Sequence, residues 1–104
     1  MTILHPSECS TLQHDASVLC IDVRENFEYV TENIGWKNVP MNEVFAFLKE
    51  EKIPKNRRIL ILCNSGKRAS ALGNLLETEG AYSDICVVEE GMQGWNGWIE
   101  TQQT

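Results

Sequence analysis

The run Cys63-Asn64-Ser65-Gly66-Lys67-Arg68 is the part of this chain whose residue types and spacing can do chemistry. A cysteine attacks only as thiolate, and a free thiol with pKa near ~8.5 is mostly protonated at neutral pH. Three neighbours favour the anion at Cys63. A helix starting after Gly66 directs its unpaired N–H groups and positive dipole end at the loop. Ser65-Gly66 lets successive backbone N–H groups turn inward as a concave anion nest. Lys67 and Arg68 add positive charge. The histidines, His5 and His14, both lie near the N-terminus, so a cysteine–histidine dyad is not indicated and activation falls to loop and dipole. The plainer reading is a buried strand cysteine followed by an ordinary turn; the composition of the loop argues against it.

The other three cysteines invite a different reading. Cys20 and Cys86 sit inside apolar strand-like runs and are expected only to pack, and Cys9 shows no sign of a role. No two cysteines form a C-x-x-C pair and no ligands cluster at short spacing, so no metal site is expected. Disulfides are not expected in a reducing compartment.

The elements that must hold the loop follow from periodicity. Short β-rich runs alternate with amphipathic helices. Ile3-Leu4 reads as a first strand, Pro6 to about Gln13 as a helix, and Val18 to Val23 as a buried strand. Glu25 to Thr31 reads as a short helix with Phe27 and Val30 on one side. After the break at Pro40, Asn42 is placed to cap a helix whose apolar face is Val44, Phe47 and Leu48. Arg58 to Cys63 is the clearest buried strand. Beyond Gly66, Ala69, Leu72, Leu75 and Leu76 share a helical face, which Gly80 is placed to end. Ile85 to Val88 is the last strand, and Met92, Trp95, Trp98 and Ile99 fall at helical spacing, the two tryptophans as core anchors. Strands alternating with helices predict an α/β fold, with a mostly parallel central sheet and helices on both faces. Active sites in such sheets lie at the carboxyl ends of strands, which is where Cys63 falls.

Bulk properties narrow the function classes. The chain has 104 residues, 42% of them hydrophobic and 23% charged, as suits a packed globule. One domain is expected over 1–104, with its core at about 3–99 and a short polar tail at 100–104. Fifteen acidic residues stand against nine basic ones, a formal net charge of −6, so no nucleic-acid partner is expected. The longest apolar run, Ile59 to Cys63, is too short to span a bilayer, so no membrane partner is expected. The first residues carry no signal-peptide pattern, and the cytoplasm is the expected location.

Four segments, taken in order, resemble the single-domain rhodanese family of sulfurtransferases. Ile21-Asp22-Val23-Arg24-Glu25 with Phe27-Glu28-Tyr29 is similar to that family's "DVRE…EY" signature, and Asn38-Val39-Pro40 to its "NIP" turn. The loop from Cys63 to Arg68 is similar to "CxSGxR", and Glu89 to Trp95 to "EGGxxxW". The resemblance implies a five-stranded sheet and a defined chemistry. Cys63 takes the outer sulfur of a small donor, thiosulfate or a persulfide, as its own persulfide. It then passes that sulfur to a thiol or protein acceptor. Asn64, Ser65, Gly66, Lys67 and Arg68 form the loop that binds substrate, with Arg68 orienting the loop or the anionic donor. Asp22 and Arg24 have a supporting structural role beside the loop, Asp22 by bonding loop or helix backbone. No metal or organic cofactor is implied.

Loop length separates relatives within this fold. Sulfurtransferases of this type place four residues between cysteine and arginine, and related dual-specificity phosphatases five. Asn64, Ser65, Gly66 and Lys67 make four here, a ring suited to one sulfur atom rather than phosphate. Phosphatase or arsenate reductase activity therefore ranks below sulfur transfer. The alternatives of another class are a binding or adaptor module with weak catalysis and a redox sensor, the second needing a resolving cysteine. Three positions depart from the family pattern: Asn64 replaces a usual arginine, Glu90 a glycine and Asn33 a histidine. Together they bring persulfide donors level with thiosulfate.

Overall fold

The computed structural model describes residues 1–103, and its architecture follows from one strand. β4 (Arg58–Leu62) buries every residue after Arg58. A strand apolar on both sides needs cover on both faces and a neighbour at each edge. β2 (Val18–Asp22) pairs along one edge and β5 (Ile85–Val88) along the other. β1 (Thr2–Leu4) lies outside β5 and β3 (Lys37–Asn38) outside β2, giving the order β1-β5-β4-β2-β3. Every pairing is parallel, so the expected five-stranded α/β sheet is present and wholly parallel.

Alternation along β4 sends Ile59, Ile61 and the following Cys63 to one face and Leu60 and Leu62 to the other. α3 (Val44–Glu50) and α4 (Lys67–Thr78) cover the Cys63 face; α1 (Pro6–Leu12) and α5 (Gly91–Thr101) cover the opposite one. Trp36 and Trp95 meet edge-on there at 6.1 Å, and Trp98 meets Trp95 edge-on at 5.8 Å. Among the described residues no helix is long and apolar enough to cross a membrane.

Several local expectations need correction. Asn42 caps no helix: Met41–Glu43 form a 3-10 turn, Glu43 N–H bonding Pro40 C=O, and α3 begins at Val44 after Glu43. β4 stops at Leu62, because the Cys63 carbonyl is drawn away to α5. α2 (Asn26–Thr31) is the expected short helix, and the side that Phe27 and Val30 share faces solvent, at 71% and 67% exposure. On α4, Gly73 is buried where Leu75 was expected, and Leu75 is exposed. The left-handed residue after α4 is Ala81 rather than Gly80, at φ 58°. Gly80 instead allows a close approach, since a Cβ there would lie 2.7 Å from the Leu76 carbonyl oxygen. α5 runs through Thr101 into the segment read as a polar tail, whose last residue, Thr104, lies outside the described residues.

Candidate active site

The loop after β4 is held from behind. The Met92 N–H bonds the Cys63 carbonyl at 2.8 Å, and the Gln93 N–H bonds the Asn64 carbonyl at 3.1 Å. These are orphan donors at the start of α5, satisfied by loop carbonyls instead of a capping side chain. A trans peptide points its N–H opposite to its C=O, so fixing both carbonyls on α5 turns the Asn64 and Ser65 N–H groups away from it. Gly91 makes this possible. A Cβ at that position would collide with the Cys63 carbonyl oxygen and lie 2.8 Å from Asn64.

The thiol sits in front. Its Sγ accepts the Gly66 N–H at 3.1 Å and the Ala69 N–H at 3.4 Å. Both come from the start of α4, where N–H groups lack helical partners and the dipole is positive. Gly66 aims its amide through a left-handed backbone, φ 95°. A Cβ there would make only ordinary contact, 3.4 Å from the Glu90 nitrogen, so the angle and not crowding calls for glycine. Cys63 is wholly buried. A donor reaches the sulfur only when neighbouring groups move aside.

Arg68 closes the loop but does not point freely at the sulfur. Its guanidinium grips the Glu28 carboxylate on α2 through two bonds of 2.8 and 2.9 Å, a bidentate pairing that favours arginine over lysine. Glu28 Oε1 also accepts the Glu25 N–H at 3.1 Å. The bond from Arg68 holds the Glu28 carboxyl well below the usual carboxylate range, at about 2, and Glu28 in turn raises Arg68. Lys67 is exposed, as is Asn64; Ser65 is half-buried.

Asp22 ends β2 opposite Leu62 of β4, with Arg24 two residues on, but Asp22 reaches neither the Cys63–Arg68 backbone nor a helix end. Its carboxylate takes the Arg24 backbone N–H at 3.1 Å, and the Arg24 guanidinium closes on it at 2.9 Å, both side chains buried. The reason is proximity: two residues apart across the end of β2, the pair satisfies itself before anything else. Arg24 also bonds the Glu32 carbonyl at the end of α2, and Asn38 Nδ2 bonds the Asp22 and Arg24 carbonyls. The Val23 N–H to Leu62 C=O bond of 2.8 Å ties this staple to β4 just before Cys63.

Sequence reasoning missed the roles of Glu28, Asn38 and Gly91. Each lay inside a quoted motif, yet only the fold shows that Glu28 meets Arg68 and Gly91 meets Cys63. Beside the loop lies a cleft of about 470 Å³, lined by Glu25, Met41, Phe45, Arg68, Leu72 and Leu75 among others.

With this geometry in hand, comparison with known proteins is decisive about family. The rhodanese-like domain family matches residues 5–97. The chain belongs to that family. It is 31% identical over 87 residues to the candidate sulfur carrier protein YrkF of Bacillus subtilis (strain 168), an alignment covering 83% of this chain. The chain spans about half the length of that curated relative, 45%. A rhodanese-like domain protein from Staphylococcus aureus superposes with TM-score 0.74 at 27% identity, over 91% of each chain. The thiosulfate sulfurtransferase from Pseudomonas aeruginosa superposes with TM-score 0.79 at 22% identity, over 92% of this chain and 19% of that one. At that identity the likeness concerns the fold.

Proposed function

We propose that this rhodanese-like domain is a sulfurtransferase that carries a sulfane sulfur on Cys63. The observation that carries the proposal is the convergence of the Gly66 and Ala69 amides on Cys63 Sγ at the head of α4. Amides so fixed stabilise negative charge on sulfur without reorganising during the reaction. Cys63 sulfur attacks the outer sulfur of the donor. A new S–S bond forms as the donor's own S–S bond breaks, and the leaving group, sulfite or an organic thiolate, takes the electron pair. The same amides then face the charge of the terminal persulfide sulfur. A thiol or protein acceptor attacks that sulfur and returns Cys63 to its starting state, with no net redox change and no cofactor. Likeness to a candidate sulfur carrier supports the same reading, and the site fits an intracellular location where thiols stay reduced.

The loop of four residues between Cys63 and Arg68 favours sulfur over phosphate. A redox sensor is disfavoured by geometry: Cys9 and Cys86 belong to the opposite face of the sheet, with Cys20 packed against them. An adaptor would have no use for the amide ring. Intact mass after exposure to a small persulfide or thiosulfate tests the proposal. A gain of one sulfur atom, reversed by cyanide or a thiol reductant and absent in Cys63→Ser, supports it; no gain with either donor contradicts it.

A further inference from the structure

We infer that Glu28 is a specificity-determining residue that turns this site away from the thiosulfate dianion and toward organic persulfides carrying at most one charge. The inference rests on the sulfur-transfer reading and deepens it.

The charges around the loop lead there. Two arginines approach it, and both are consumed inside the protein, Arg24 by Asp22 and Arg68 by Glu28. The Arg68 guanidinium gives its fork to one carboxylate, leaving that carboxylate where a doubly charged donor would need an open cation. Asn64, exposed on the loop, is uncharged. One further carboxylate stands at the rim: Glu25, which lines the cleft together with Arg68. Lys67, exposed and without a charged partner among the described residues, is the remaining cation. Glu25 and Glu28 balance Lys67 and Arg68, so the rim carries no net positive charge. An entrance without net positive charge disfavours a dianion more than a singly charged donor, because the missing attraction scales with the donor's charge. The cleft offers compensation that only an organic donor can use. Met41, Phe45, Leu72 and Leu75 give it an apolar wall for a carbon-bearing group, which thiosulfate lacks. With such a donor, R–S–SH, the bond between its two sulfurs breaks as the outer sulfur joins Cys63, and R–S⁻ leaves with the electron pair and is protonated to R–SH.

Sulfur loading onto Cys63, timed by intact mass with thiosulfate and with ethyl persulfide, tests this in one preparation of each protein. Glu28→Gln keeps a hydrogen-bond acceptor for Arg68 but removes the charge, and raises the thiosulfate-to-persulfide rate ratio roughly tenfold. The ratio does not depend on the fraction of protein that is folded. Asn64→Lys, on an exposed side chain, supplies an open cation without touching the Glu28–Arg68 pair and shifts the ratio the same way. Because the chain carries a net charge of −6, thiosulfate loading of the unaltered protein also speeds with added salt, and this acceleration shrinks in Glu28→Gln. A ratio unmoved by both substitutions overturns the inference while leaving sulfur transfer standing. Failure of both donors to load the unaltered protein overturns the sulfur-transfer reading and this inference with it.

Discussion

Cys86 lies on β5 and Cys63 just past the end of the neighbouring β4, yet their surroundings are opposites. Both are buried, at 0% and 3% exposure. Cys63 Sγ faces two amides from the head of α4. Cys86 lies on the far face in the same apolar cluster as Cys9, its nearest polar contact the Asp84 carboxylate at 3.9 Å. Burial pushes Cys9 up to about 12 and Cys20 to about 11, and raises Cys86, with Asp84 adding to the effect. Burial alone therefore makes a thiol inert, and only burial together with aimed N–H donors makes it a candidate nucleophile. The two faces differ by what stands at the end of the neighbouring helix, not by depth.

The largest effect expected from breaking this contrast comes from Gly91→Ala. Its methyl group would strike the Cys63 carbonyl and push the loop off α5. Sulfur loading falls on the order of a hundredfold, while alkylation of Cys20 and Cys86 in the folded protein stays slow; loading rates and mass mapping check both. Next in size is Asp22→Asn. It leaves Arg24 buried without its charge partner, on the loop side of the molecule, and costs about 3–5 kcal/mol by urea denaturation.

The far face makes its own prediction. Cys9 and Cys20 titrate above the ordinary 9.0 when folded, so between about pH 9 and 12 the unfolded chain has lost protons that the folded one keeps. Stability from these thiols is complete below the unfolded value and disappears as pH rises through the folded ones. Stability read from denaturation midpoints falls by several kcal/mol across that window, and Cys20→Ala flattens the slope. The smallest effect is Glu90→Gly. Glu90 holds a left-handed backbone, φ 57°, a conformation costly for a residue with a Cβ. The substitution stabilises the protein by about 0.5–1 kcal/mol and leaves loading of Cys63 by a persulfide in place, as calorimetry and intact mass will show.

The sequence carried the site's chemistry further than its supports. β4 and the loop were legible because a run of buried residues ending in Cys63, followed by Ser65-Gly66, encodes strand, turn and helix start within one local stretch. β3 was not, because two residues, Lys37 and Asn38, show no alternation. Glu28 and Gly91 were quoted in motifs without a role, since their partners, Arg68 and Cys63, are far along the chain and only the order β5-β4-β2 brings them close. α2 was legible as a helix, but not the exposure of the side that Phe27 and Val30 share. Periodicity shows that residues share a side, not what that side meets.

The central claim is that aimed amides, and nothing else about these four thiols, select the sulfur carrier. Peptide mapping of the unaltered protein after brief treatment with a persulfide reads the answer directly. The account predicts the added sulfur on Cys63, with Cys9, Cys20 and Cys86 unmodified. Sulfur spread over the far-face cysteines, or missing from Cys63, would contradict it.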